Sequence, residues 1–127
     1  MGKKARVMVV EDDATLREAL AELLEIWGYQ AETAWDGLDA LEKMRSFRPR
    51  VVISDLQMPR MGGMQLLQAV RRSFPEVSCI IVTGERSAED AIQASAVGVL
   101  DLLEKPVDPL RLQLDLQKCL GHSRGEG

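Results

Sequence analysis

The chain is short of cysteine, with two, and of histidine, with one, and no apolar run approaches the length of a bilayer crossing; each shortage removes a class of explanation. A helical span needs roughly twenty consecutive apolar residues, so no membrane span is expected. Met1 to Arg6 carries charge but leads into no apolar segment of signal-peptide length, so it does not read as an export signal. Cys79 and Cys119 lack metal-ligand spacing and read as core thiols of a protein in a reducing cytoplasm. His122 stands alone in a Gly/Ser tail and reads as a solvated loop residue. Sixteen Lys and Arg against twenty Asp and Glu leave a net charge of −4, which gives no support to direct nucleic-acid binding. Phosphate-binding loops are missing too: there is no G-x-x-x-x-G-K-[ST], and no G-x-G-x-x-G follows the first apolar run.

What is present is alternation. At 127 residues, 46% hydrophobic and 28% charged, the chain has the size and composition of one soluble domain. Short apolar runs at Arg6–Val10, Val51–Ser54, Cys79–Val82 and Val99–Leu103 alternate with helical patterns, the signature of βαβ units around a parallel sheet in an α/β fold. Leu16, Ala19, Leu20, Leu23, Leu24 and Trp27 mark one face of a first helix that Gly28 ends. Gln30 to Ala34 lacks a continuous apolar character and reads as an edge strand. Asp36 is placed to cap a second helix carrying Leu38, Leu41 and Met44 and stopping before Pro49. A third holds Leu66, Leu67, Val70 and Phe74 up to Pro75. Ser87 with Asp90 resembles a capping box for a fourth, Ala-rich helix that has little bulk to anchor it. Leu110, Leu112, Leu114 and Leu116 alternate like a strand, yet Asp108-Pro109 is a helix start and the residues are helix formers. A fifth helix is therefore predicted, with Leu112, Leu116, Cys119 and Leu120 on one face and Leu110 and Leu114 roughly opposite.

The chemistry gathers where the strands end. Asp55 closes the third apolar run, and a carboxylate at the carboxyl end of a buried strand is where open α/β sheets place their sites. The first run ends in Glu11, Asp12 and Asp13, the fourth in Thr83-Gly84, the fifth in Glu104-Lys105-Pro106. In a parallel sheet these ends share one edge. Two carboxylates about 4 Å apart repel by roughly 4 kcal/mol at an effective dielectric near 20, so Glu11, Asp12 and Asp55 need a cation among them. Oxygen-only ligands without His or Cys point to Mg²⁺ and away from zinc. Lys105 adds a second cation and Thr83 a hydroxyl donor; with backbone N–H groups after Asp55 they can hold a phosphoryl group in transfer. Asp55 is then the nucleophile, forming an aspartyl phosphate.

The set Glu11-Asp12, Asp55 with Met58-Pro59, Thr83 and Lys105-Pro106 closely resembles the receiver domain of two-component response regulators, from about Lys4 to Leu120. The resemblance implies a flavodoxin-like, three-layer, doubly wound fold, with a five-stranded parallel sheet in the order 2-1-3-4-5 and five helices. Residues 4–120 would form the domain, and 121–127 a flexible tail or linker stub. It also implies Mg²⁺-dependent transfer of a phosphoryl group from a sensor histidine kinase, or a phosphotransfer protein, to Asp55. Slow self-catalysed loss to water would follow, with no other enzymatic activity. Glu11 and Asp12 correspond to the acidic pair serving the metal; counting back five from Arg17 places the direct ligand at Asp12, with Asp13 as the register alternative. The Gln57 main-chain carbonyl corresponds to the remaining protein ligand, Thr83 to the switch hydroxyl and Lys105 to the ion-pair partner, before a proline bond that is usually cis in the family.

Three positions depart from the family pattern. Met61-Gly62-Gly63 replaces Met-Asp-Gly and removes a capping acid, which should loosen that loop. Leu102 occupies the place of the aromatic switch residue, so a ring flip cannot carry the signal. Gly84 stands where alanine or serine is usual. On phosphorylation, the face made by the fourth helix, fifth strand and fifth helix would switch and control an output domain or partner. Leu110 and Leu114, with Leu102 nearby, would form an apolar patch for a second copy or an effector. The alternative is a phosphorylation-independent interaction module on the same scaffold. A hydrolytic phosphatase would want an acid two residues after Asp55, where Gln57 stands.

Overall fold

Parallel pairing follows from the way the apolar runs are spaced by helices. The computed structural model describes residues 4–84 and 87–121, and among these five strands and five helices alternate without exception. They are β1 (Arg6–Val10), α1 (Ala14–Ile26), β2 (Gln30–Ala34), α2 (Gly37–Phe47), β3 (Val51–Asp55), α3 (Gly63–Ser73), β4 (Ser78–Thr83), α4 (Ala88–Val97), β5 (Asp101–Glu104) and α5 (Pro109–Leu120). The sheet order is β2-β1-β3-β4-β5, all parallel, the flavodoxin-like order. The tail from 122 onward, with His122, lies outside the described residues.

Strand alternation divides the core into two layers. Met8, Val10, Val52, Cys79, Ile81 and Leu102 pack with Ala40, Met44, Leu66, Leu67 and Val70 from α2 and α3. Val7, Val9, Val51, Ile53, Ile80, Val82 and Leu103 pack with Leu20, Leu24, Leu112 and Leu116 from α1 and α5. With helices on both faces the central strands must be apolar throughout, which is why β1, β3 and β4 read as continuous runs. β2 has one flank unpaired and is only partly buried. No described helix is long and apolar enough to cross a membrane.

Helix starts follow their caps. Asp13 accepts from the Thr15 and Leu16 N–H groups at 3.0 and 3.3 Å, Asp36 from Asp39 N–H at 2.9 Å, Ser87 from Asp90 N–H at 3.0 Å and Asp108 from Leu110 N–H at 3.0 Å. Each satisfies a backbone donor that a helix N-terminus leaves over. Among the described side chains of α4, Ala94 is buried and Ala91 and Val97 are partly so, the thin anchoring that its alanine-rich sequence implies.

Two expectations need correcting. The fifth strand starts at Asp101, not Val99, because α4 closes through Gly98 in the left-handed region (φ 88°) and the N–H groups of Gly98 and Val99 both return to Ala94 O. Val99 is spent on that turn, and Leu100 N–H already donates to Cys79 O of β4 at 2.8 Å, one residue ahead of the ladder that begins at Asp101. Leu102 does not join an apolar surface patch: it is 7% exposed and sits in the α2/α3 layer. Neighbouring residues of a strand point to opposite faces, so Leu103 takes the α5 side. Leu110 and Leu114 are exposed, at 63% and 50%. The leucine beside them is Leu100, which lines a cavity of about 530 Å³ with Asp101, Arg111, Leu114 and Asp115.

Asp115, on α5, is 4% exposed, and its Oδ2 has no hydrogen-bond partner. Burial, then the hydrogen bond and negative charge of Asp101, push its carboxyl up to about 7. For Asp101 burial acts upward but loses to the hydrogen bonds from Asp115, the Arg111 guanidinium (2.8 and 3.0 Å) and Leu102 N–H (2.8 Å), so it lies below the usual range. Of the two, Asp115 is the carboxyl that favours its protonated form and Asp101 the one that favours its charge.

Leu112→Ala is expected to cost about 3 kcal/mol of unfolding free energy in urea titrations, and Leu114→Ala less than about 0.5 kcal/mol. The native state keeps the Asp115 proton up to about pH 7, whereas an unfolded aspartate releases it near 3.8. Stability from this group is thus present at low pH and lost as pH rises through that window. Asp115→Asn should flatten the pH profile and lie above the parent at its alkaline end.

Candidate functional site

The carboxyl edge of the sheet brings four strand ends together. Glu11 follows β1 and is buried; its N–H donates to Ala34 O at 3.0 Å, and its main-chain oxygen accepts from Arg17 Nη1 at 2.8 Å. Asp55 ends β3, buried at 6% exposure, and Thr83 ends β4, also buried. Lys105 follows β5; its N–H donates to Thr83 O at 2.7 Å, and the Lys105–Pro106 bond is cis. The Lys105 ammonium lies 3.1 Å from Glu11 Oε1 and 3.1 Å from Asp55 Oδ2. On its other oxygen Asp55 accepts Gln57 N–H at 3.3 Å.

Glu11, Asp12 and Asp55 each offer a carboxylate oxygen, all within 4.8 Å of one another. Asp13 is turned away to cap α1, so Asp12 is the neighbour of Asp55. Burial pushes the Glu11 carboxyl up to about 7, against the Asp13 N–H and Lys105 bonds, and the charge of Asp55 adds to the rise. For Lys105 burial acts downward, but the two carboxylates more than reverse it and raise the ammonium above its ordinary value. One ammonium does not neutralise three acids. The cluster is short of positive charge, its donors are all oxygen, and both properties fit a hard divalent cation of the Mg²⁺ type.

The segment leaving Asp55 is fastened more firmly than its glycines suggest. Gly62, the cap position of α3, has no side chain to offer, and the Gln65 side chain accepts its N–H at 3.3 Å instead. Gly63 presses on the end of β3: a Cβ there would stand 2.3 Å from Asp55 O and 2.9 Å from Leu56 Cα. Its N–H donates to Leu56 O at 2.9 Å. The expected loosening is therefore met by ties that do not use the missing acid. One of them joins Arg60 to Asp36. Asp36 reads from the sequence only as a helix cap, and Arg60 carries no local signal beyond lying in the loop after Asp55.

The chain matches the family described as response regulator receiver domain over residues 7–117. It is 37% identical over 97% of its length to the transcriptional regulatory protein ZraR of Klebsiella oxytoca, covering 28% of that protein. It is 34% identical over 80% of its length to the response regulator MprA of Mycobacterium ulcerans, covering 44% of it. The chain thus spans well under half the length of these curated relatives. Among solved structures, the chemotaxis protein CheY4 of Vibrio cholerae superposes with a TM-score of 0.87 at 36% identity, over 93% of this chain and 100% of that one. A CheY-like receiver domain protein of Methanospirillum hungatei gives 0.88 at 27% identity, over 98% and 100%.

Because Glu11 holds its proton up to about pH 7, a divalent cation bound at this cluster has to displace it at lower pH. Calorimetric Mg²⁺ titrations are expected to show proton release below that pH and an apparent affinity that rises toward it, then levels. Glu11→Gln should bind more weakly and release no proton.

Proposed function

The chain belongs to the response regulator receiver family, and from that premise we propose that it accepts a phosphoryl group on Asp55 from a sensor histidine kinase or phosphotransfer protein, in a Mg²⁺-dependent reaction. Receiver domains are regulatory modules, and the only catalysis assigned to this one is on itself. The observation that carries the reading is the geometry around one carboxylate. Asp55 has Lys105 at 3.1 Å on one oxygen and Glu11 and Asp12 within reach of a shared cation.

In the transfer, a carboxylate oxygen of Asp55 attacks phosphorus and forms the new P–O bond. The P–N bond to the donor imidazole breaks, and its electron pair returns to the ring nitrogen. The carboxylates of Glu11, Asp12 and Asp55 and the Gln57 main-chain carbonyl would hold Mg²⁺, which when bound neutralises charge on the phosphoryl oxygens. Lys105 balances the remaining charge from the opposite side, and the Thr83 hydroxyl donates to a phosphoryl oxygen. Hydrolysis of the acyl phosphate returns the carboxylate and inorganic phosphate. The donor approaches beside the site, where an apolar groove between Leu16, Leu20 and Leu23 of α1 and Pro106, Val107 and Pro109 is bounded by Asp13 and Lys105. A helix presenting a phosphohistidine would suit this position, since Lys105, which pairs with Asp55, also lines the groove. Such a donor would be met in the cytoplasm, and the two free thiols support that location.

Output would pass through α4, β5 and α5. Drawing Thr83 toward a phosphoryl group moves the end of β4 and the approach to α4, the helix with the thinnest anchoring. Leu110 and Leu114, now with Leu100 in place of Leu102, give that side an apolar surface for an effector or output domain, or for a second copy.

With acetyl phosphate and Mg²⁺ the parent is expected to label at one site, Asp55→Asn to lose all label, and Thr83→Ala and Lys105→Ala to label at least tenfold more slowly. Label retained by Asp55→Asn would reassign the acceptor, and a parent that takes up no label would favour an interaction module independent of phosphate. The double substitution Leu110→Glu and Leu114→Glu should leave labelling unchanged while abolishing any phosphorylation-dependent association seen by light scattering.

A further inference from the structure

Arg60 lies five residues after Asp55, in the segment that supplies the Gln57 carbonyl, and its backbone is in the left-handed region at φ 65°. Side chains other than glycine and a few short polar ones seldom adopt that conformation unless their surroundings impose it. Here the surroundings are explicit. The Arg60 guanidinium binds Asp36 through both Nε and Nη2, the latter at 3.0 Å from Oδ1, and lies over the Trp35 ring at 4.3 Å from its centroid. The Asp36 side chain is wholly buried. A bidentate, charge-assisted pair with one member buried is directional and stiff. The adjoining contacts are as close: Gly37 N–H donates to Met61 O at 3.3 Å, and a Cβ on Gly37 would strike the Met61 side chain at 2.7 Å. The head of α2 thus grips the acceptor loop at Arg60 and Met61.

We propose that Arg60 is a positioning residue for the acceptor site: clamped between Asp36 and Trp35, it sets the backbone from Gln57 to Met61 before a cation binds. The inference rests on the phospho-acceptor reading and deepens it, naming a determinant of Mg²⁺ affinity that touches neither the cation nor the reacting atoms. The ends of the loop are tied without Arg60, by Leu56 N–H to Val82 O at 3.3 Å and Gly63 N–H to Leu56 O at 2.9 Å. Between them the loop's own bond, Met61 N–H to Pro59 O at 2.7 Å, shapes a turn without fixing it to the sheet. Met58 and Met61 pack against the core and Gln57 N–H is bound to Asp55 Oδ1, but the directional polar anchors of the turn beyond Gln57 come from the head of α2, and a main-chain ligand from the loop is placed in part by that attachment.

Two substitutions separate positioning from stability. Arg60→Gly accepts the left-handed backbone without strain but cannot reach Asp36; Asp36→Asn keeps the α2 cap but gives up the charge that holds Arg60. Calorimetric titration with Mg²⁺ alone, paired with acetyl phosphate labelling across a Mg²⁺ series and a thermal melt, reads both effects. Both variants are expected to stay folded and to raise the Mg²⁺ dissociation constant roughly tenfold, while labelling at saturating Mg²⁺ stays within about twofold of the parent; Arg60→Lys should fall between. If either variant folds and binds Mg²⁺ as the parent does, Arg60 is structural only and the inference is overturned. A parent that neither binds Mg²⁺ nor labels overturns the phospho-acceptor reading itself, which is a separate result.

Discussion

A single ammonium, Lys105 Nζ, stands 3.1 Å from carboxylate oxygens of both Glu11 and Asp55, and the arrangement of the whole carboxyl edge depends on it. Those acids follow β1 and end β3, adjacent strands at the centre of the sheet, and both are buried, so without a cation they would repel in a poorly screened place. The lysine comes from beyond β5, two strands from Asp55. Its backbone is held by Thr83 O at the end of β4, so one residue connects four strands of the five. Removing one partner from a buried ion pair leaves an uncompensated charge, which costs more than the pair contributes. The tie is partial: burial, helped by the charge of Asp55, leaves Glu11 holding a proton up to about pH 7 even with Lys105 beside it. A buried, oxygen-only cluster of this kind suits a hard divalent cation.

The rest of the molecule divides into parts that hold this edge and parts that are free to respond to it. The central strands have helices on both sides and contribute many of the fully buried side chains. Gly63 is packed against Asp55 and Leu56 so closely that even a methyl group has no room. α4 is different, with small residues and little buried bulk. Leu102 sits inside the layer formed with Ile81 and Leu66, so between Thr83 and α5 lie packed elements only. No ring at position 102 can swing between core and surface.

How far the sequence could be read depended on whether an interaction is local. β1 and β3 were legible as apolar runs ending in acids, α1 from its repeat of Leu16, Leu20, Leu23 and Leu24, and the fifth helix from Asp108-Pro109 despite a strand-like alternation of leucines. The gathering of Asp55, Thr83 and Lys105 was legible because each ends or directly follows a strand, and in a parallel sheet strand ends share an edge. The start of β5 was misjudged because Val99 and Leu100 look like strand residues, while Gly98 spends Val99 on closing a helix and the ladder with β4 begins at Asp101. Leu102 was placed on the surface because an apolar pair does not say which member faces which layer.

Residue chemistry and periodicity are properties of neighbours along the chain, and they alone determined the α/β class, the helix caps and the supply of acids, hydroxyl and lysine to one edge. Three consecutive acids left the choice between Asp12 and Asp13 open; in the fold Asp12 lies with Glu11 and Asp55, while Asp13 accepts from the N–H groups of α1. Only the tertiary structure paired Arg60 with Asp36 and Asp115 with Asp101, because a charge finds its partner through space. The strength of such a pair depends on burial that no stretch of sequence contains.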